Sequence, residues 1–297
     1  MKRFTIAGIQ IGLAEPNNIE KNERKAIEWL HRTLKEKEVD LVVYPETCNT
    51  GFDTRLPNEE LWNLVDSIPG RTTAKIQKVA EDYGIYVVWN TYERSKYKDR
   101  VYNSSVLIGR DGGIVGIYRK THPFITERFE EGGWTIAGNN AEVFTTDIAK
   151  IGLMICYDGD FPELSRTYAL KGAEVIIRSS AFLRTYDQWY AENFARAYEN
   201  HVYLIAINAV GQDAAKNCYF GHSQIFAPNG WRLAQARCAE EIITAELSSE
   251  PIEYIYQGGS SRQTFDHVAD RNLDAYDIMK KGVSSLGPLR RKPDDKT

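Results

Sequence analysis

Short apolar segments rich in β-branched residues alternate along this chain with longer segments of helical periodicity. That alternation restricts the fold more than any other feature. "FTIAGIQI", "VDLVVYPE", "IYVVWNTYE", "KIGLMIC", "AEVIIRSS" and "HVYLIAINAV" read as strands. "NIEKNERKAIEWLHRTLKEKE" puts Ala26, Ile27, Leu30 and Leu34 on one helical face and charges elsewhere. "RTTAKIQKVAEDYG" reads as a helix closed by Gly84. Further helices are expected over residues 161–171 and in "DQWYAENFARAYEN". "RDGG" reads as a hairpin turn joining "NSSVLIG" to "IVGIYRK", and Pro-Asn-Gly as the turn within "GHSQIFAPNGWRLAQA". "EEIITAEL" is a last strand. Recurring β-α-β units mixed with hairpins imply an α/β layered domain with helices covering sheet faces.

No linker divides the 297 residues, so one domain is expected over residues 1–281, with a polar, Pro/Gly-rich tail over 282–297. Apolar content is 42 %, charged content 26 % and net charge −4, with no dominant basic stripe; a nucleic-acid partner is not expected. No apolar run approaches the roughly 18 residues of a membrane span, so no membrane partner is expected either. The opening "MKRFTIAGIQIGLAEPNN" reads as a first strand interrupted by Gln10, without a targeting signal, and points to the cytoplasm. The four cysteines, Cys48, Cys156, Cys218 and Cys238, are widely and irregularly spaced, and the five histidines are scattered. Reduced thiols and no metal site are the expectation.

In α/β sheets, ligands gather beyond the carboxyl ends of strands. Three such ends carry unlike chemistry: "LVVYPE" ends on Glu46, "IVGIYRK" on Lys120 and "IGLMIC" on Cys156. After Cys156, "DGDFPE" reads as a turn into a helix, with Asp160 as N-cap, Pro162 in the first turn and Glu163 at capping-box spacing. A helix start beside the thiol favours the thiolate. A core cysteine would occupy the same position equally well. Glu46 suits a general base whose pKa burial raises, or a capping acid. Lys120 adjoins Arg119, and one of the two is expected at the surface. Together, a thiol, a carboxylate and a fixed cation make an acyl-transfer set. Cys–His catalysis is the competitor, but no histidine stands at a comparable strand end.

"VVYPET", "GIYRKTHPF" and "ICYDGDFPE" resemble the carbon–nitrogen hydrolase (nitrilase) superfamily, over residues 4–247. The resemblance implies a four-layer α-β-β-α sandwich, dimerised through helices into a homodimer or a higher homo-oligomer. It implies Glu46, Lys120 and Cys156 as a catalytic triad and Glu127 of "KTHPFITERFEE" as a second glutamate that positions water or substrate. The Tyr157 N–H is expected to join Lys120 in binding the oxyanion. No cofactor is implied.

Cys-Tyr-Asp, in place of the Cys-Trp-Glu of nitrilases proper, resembles amidases. "DGDFPE", "KGAEVIIR" and "YFGHSQI" resemble the aliphatic amidase and formamidase branch, implying a small neutral amide as substrate. Gly159 and Asp160 stand where amidases for carboxylate-bearing substrates often carry arginine. An N-carbamoyl amine hydrolase, with Asp160 meeting a substrate ammonium, is the alternative, followed by a nitrilase and by a binding protein of the same fold. Trp134, Phe182, Tyr186 and Tyr219 are candidate pocket walls or ordinary aromatic packing. His222 reads as structural and Asp158 as a turn residue.

Overall fold

The computed structural model describes residues 1–253 and 266–280. The domain boundary expected at residue 281 and the tail over 282–297 lie outside them. The first sheet begins with β1 (Phe4–Gln10), β2 (Leu41–Val43), β3 (Tyr86–Arg94), β4 (Val101–Ile108) and β5 (Ile114–Arg119). The second sheet holds β6 (Val143–Thr145), β7 (Lys150–Ile155), β8 (Val175–Ser180) and β9 (Tyr203–Asn208). A short ribbon follows, β10 (Val210–Gln212) with β11 (Cys218–Phe220), and then β12 (Gln224–Phe226) and β13 (Arg232–Gln235) complete the second sheet. The last strand, β14 (Glu241–Leu247), returns to pair antiparallel with β1. The two six-stranded orders are β14-β1-β2-β3-β4-β5 and β13-β12-β9-β8-β7-β6.

Each sheet is built on a parallel trio, β1-β2-β3 and β7-β8-β9, flanked by antiparallel strands. Helices α1 (Ile19–Glu36) and α3 (Arg71–Tyr83) cover the first sheet, with the short α2 (Asn58–Leu64) between them in sequence. Helices α4 (Pro162–Leu170) and α5 (Tyr186–Tyr198) serve the second sheet. Strand alternation produces this layering directly. In β1 and β2, Phe4, Ile6, Leu41 and Val43 enter the core between the sheets. Ala7, Ile9 and Val42 face the helices and meet Ala26, Leu30, Ile76 and Ala80. Both faces are buried, so the strands read as continuous apolar runs. The sheets approach closely: a Cβ on Gly8 would stand 2.1 Å from Ile207 Cδ1. The architecture is the α-β-β-α sandwich.

Gly84 closes α3 in the left-handed conformation, φ 61°. "RDGG" turns β4 into β5 through Gly112, and Pro-Asn-Gly turns β12 into β13. "VDLVVYPE" is a strand only over Leu41–Val43, so Glu46 sits in the turn beyond it. "HVYLIAINAV" divides at Ala209 into β9 and β10, and α2, β6 and the β10–β11 ribbon have no counterpart in the sequence reading.

Candidate active site

Glu46, Lys120 and Cys156 come from separate segments, and the sandwich brings them together. The end of β2 stacks on the end of β8: Ser179 Oγ donates to Tyr44 O at 2.8 Å, and Glu46 N donates to Ser180 O at 3.3 Å. Lys120 follows β5, its N–H bonded to Asn103 O at 2.8 Å. Its Nζ lies 2.8 Å from Glu46 Oε1 and 2.5 Å from Glu127 Oε1, and all three side chains are buried. Asn103 Nδ2 donates to Glu46 Oε1 at 2.7 Å and to Glu127 Oε2 at 3.3 Å. The Phe124 N–H donates to Glu127 Oε1 at 3.0 Å, and the Ala181 N–H to Glu46 Oε2 at 2.8 Å. Burial alone would lower the Lys120 pKa, but Glu127 and Glu46 outweigh it and hold the ammonium protonated. Burial, reinforced by Glu46, raises the Glu127 carboxyl against the pull of Lys120.

Cys156 follows β7 directly and opens a 3-10 turn over Cys156–Asp160. Its φ is 44°, a left-handed conformation that costs a non-glycine residue about 1–3 kcal/mol and is found where the surroundings over-determine it. The Ala181 N–H that donates to Glu46 also favours the Cys156 thiolate, though weakly. A buried Asp158 ties this turn to the lysine segment. Its carboxylate accepts from the Ile155 N–H (2.9 Å), Tyr118 OH (2.7 Å) and the His122 N–H (3.0 Å). His122 Nδ1 lies 2.9 Å from Asp158 Oδ1, and its ring stacks on Phe161.

Two expectations for this turn need correction. Phe161, not Asp160, is the N-cap of α4, and no side chain caps it. Asp160 instead accepts from Arg184 Nη2 at 2.6 Å, which uses the carboxylate the carbamoyl-amine reading needed free. Nor does a helix start leave Cys156 a resting thiolate. Burial, then Glu46, raises the thiol's pKa well above its ordinary value, against weaker opposing pulls from Lys120, Arg178 and the Ala181 N–H.

A cavity of about 260 Å³ opens over Cys156 and Lys120, walled by Phe52, Phe124, Tyr157, Phe182 and Leu183, with Arg55, Arg184 and Asn217 among its polar groups. Phe182 is thus a wall. Trp134 is not: it packs edge-on against Phe52 and Tyr92. Tyr186 lies outside the cavity, bonded to Gln235 and Arg232. Tyr219 stands beside Glu46 in a smaller adjoining cavity and donates to Asp213 at 2.5 Å. His222 is 3.2 Å from Gln235.

Asn103 and Arg178 escaped the sequence reading. The signal for each was a large polar or charged side chain, beside serines, in a segment that reads as a buried strand, "VYNSSVLI" and "VIIRSS". Such a residue is costly unless it is paired.

The profile of the carbon-nitrogen hydrolase family matches residues 5–256. The chain belongs to the carbon–nitrogen hydrolase family, within the nitrilase superfamily. It is 37 % identical to a nitrilase of Pyrococcus abyssi, covering 86 % of this chain and 93 % of that one. It is 28 % identical to an omega-amidase of Xenopus tropicalis, covering 95 % and 99 %. The crystal structure of a carbon-nitrogen hydrolase from Helicobacter pylori superposes with a TM-score of 0.81 at 26 % identity, covering 94 % of this chain and 99 % of that one. Among the described residues, this carbon–nitrogen hydrolase has no helix long and apolar enough to cross a membrane.

Proposed function

We propose that the protein hydrolyses a small neutral aliphatic amide to a carboxylic acid and ammonia through a thioester on Cys156. The observation that carries this reading is the buried Lys120, paired with Glu46 and Glu127 in the wall of the cavity that holds Cys156. Because the thiol rests protonated, Glu46 takes its proton as sulfur attacks the amide carbon. The carbonyl electron pair moves to oxygen, where Lys120 and the Tyr157 N–H receive it; one such donor contributes about 3–4 kcal/mol. Collapse expels ammonia, which gains the proton from Glu46, and leaves the thioester. Water, oriented by Glu127, then gives a proton to Glu46 and attacks the thioester. The acid leaves and the thiol is restored.

The cavity supports a small substrate, being below the roughly 300–1,000 Å³ of pockets for drug-sized ligands. Its guanidinium Arg184 is already matched by Asp160 at 2.6 Å and Glu192 at 3.3 Å, which supports a neutral one. A second reading, an ω-amide bearing a distal carboxylate, is favoured by Arg55. That side chain lines the cavity, is 69 % exposed and approaches Asp53 only to 3.7 Å. A relative named an omega-amidase agrees with it.

Ammonia release from formamide, acetamide, propionamide, glutaramate, N-carbamoylputrescine and a nitrile, with Cys156→Ala as control, separates these readings. Turnover of the small neutral amides, with acyl-Cys156 trapped by acid quench and seen by mass spectrometry, is expected. Preference for glutaramate, with a KM that rises in Arg55→Ala, would favour the second reading. Acid formation from the nitrile alone would overturn both. A cytoplasmic homodimer or higher homo-oligomer belongs to the same proposal, with light scattering as the test of assembly.

A further inference from the structure

Arg178 is fully buried in the middle of β8, and the catalytic scheme leaves it unused. Its guanidinium is held on every side. Nε donates to the Cys156 carbonyl at 2.8 Å, Nη1 to Asn193 Oδ1 at 2.7 Å and Nη2 to Glu192 Oε2 at 2.9 Å. The Trp189 and Phe182 rings lie 5.0 and 5.5 Å from Cζ. The turn that carries the thiol is shaped around it: a Cβ on Gly159 would stand 2.0 Å from Cζ. Both anchoring residues, Glu192 and Asn193, belong to α5, so the guanidinium links that helix to the cysteine turn. Arg196, from the same helix, holds Gly159 O at 3.0 Å and Asp160 O at 3.2 Å.

The peptide unit makes the Cys156 carbonyl consequential. A trans peptide is planar, with C=O and N–H on opposite edges. The plane that holds Cys156 C=O also holds the Tyr157 N–H, so fixing one edge fixes the aim of the other. We infer that Arg178 is a positioning residue that orients and polarises the Tyr157 N–H as an oxyanion donor, by gripping the carbonyl on the opposite edge of the same peptide. This rests on the acyl-transfer reading of the site. A charged donor on the carbonyl draws electron density through the amide and strengthens the N–H as a donor.

Two variants test it. Arg178→Lys keeps the charge and loses the planar fork. Gly159→Ala keeps the arginine and displaces its guanidinium with a methyl group. In each, kcat for the preferred amide is expected to fall roughly 100-fold, with KM within about threefold of wild type. The control is modification of Cys156 by methyl methanethiosulfonate, followed at that residue by peptide mass. This disulfide-forming displacement passes through no tetrahedral oxyanion, so its rate should stay within about threefold of wild type. Melting curves report folding, and if Arg178→Lys does not fold, Gly159→Ala decides.

Amide turnover and thiol modification falling in parallel would mean that Arg178 acts on the thiol, and would overturn the inference. So would a folded variant that keeps wild-type kcat. If wild-type protein modifies normally at Cys156 but hydrolyses no amide, the acyl-transfer reading fails and takes this one with it. Wild-type turnover beside unchanged variants would refute the role of Arg178 alone.

Discussion

Replacing Lys120 by methionine tests whether the buried charges of the site are balanced against one another. Lys120 Nζ lies 2.8 Å from Glu46 and 2.5 Å from Glu127, with all three side chains buried. Methionine keeps most of the stem's volume and removes the charge. Two carboxylates then remain, both bonded to Asn103 and shielded from solvent. Breaking a buried pair in this way costs about 3–5 kcal/mol. For a chain of 297 residues this lowers the melting temperature by roughly 5–10 °C.

The loss has a sign in pH. Lys120 is the group that pulls Glu127 down against burial and Glu46, so its removal raises that carboxyl further. The folded variant then holds a proton that the unfolded chain has released. Its stability is full below the unfolded carboxyl value and falls as pH rises toward the folded one. One held proton is worth about 1.4 kcal/mol per pH unit; Glu127 is already raised in the wild type, so the deficit widens only across the interval between its wild-type and its higher variant value. Wild-type Lys120, raised above its ordinary value, stays charged throughout this window and contributes no such slope. Thermal melts of both proteins at pH 5, 6, 7 and 8 read the effect directly. An equal gap at every pH, or no gap, would refute this balance of charges.

Three further outcomes are expected. Modification of Cys156 by methyl methanethiosulfonate in the free protein should keep accelerating past pH 9, because burial raises the thiol; a plateau below pH 8 would show a resting thiolate. Asn103→Leu removes the donor shared by Glu46 and Glu127, leaves buried oxygens underpaired, and should cost about 1–3 kcal/mol in urea unfolding along with most turnover. Wild-type stability would argue that Asn103 is not needed there. Phe182→Ala opens the cavity wall and should shift preference toward longer acyl chains, at a stability cost of about 3–5 kcal/mol; an unchanged amide profile would place the acyl group elsewhere.

Much of this protein is local chemistry, and so is legible in its sequence. Ala26 and Leu30 recur on one helical face, and the runs around Val42, Val87 and Ile177 are apolar on both sides. Such patterns specify helices and doubly covered strands without knowledge of partners. Gly84 and Gly112 mark turns because a Cβ penalises φ above zero. Glu46, Lys120 and Cys156 stand out in the sequence as a carboxylate, an ammonium and a thiol just beyond apolar strand segments.

What the sequence could not supply is everything that depends on segments distant along the chain. Asp160 looks like an N-cap until Arg184, 24 residues later, pairs with it. Trp134 looks like a pocket wall until Phe52 and Tyr92 pack around it. A helix start argues for a thiolate at Cys156, but the buried surroundings and the carboxylate of Glu46, 110 positions away by residue number, reverse the sign. The left-handed turn at Cys156, the grip of Arg178 on its carbonyl, and the shared Asn103 arise only when the two sheets close on each other. Periodicity and turn chemistry act over a few residues and are carried by the local sequence, whereas burial and Coulombic pairing are properties of the folded neighbourhood.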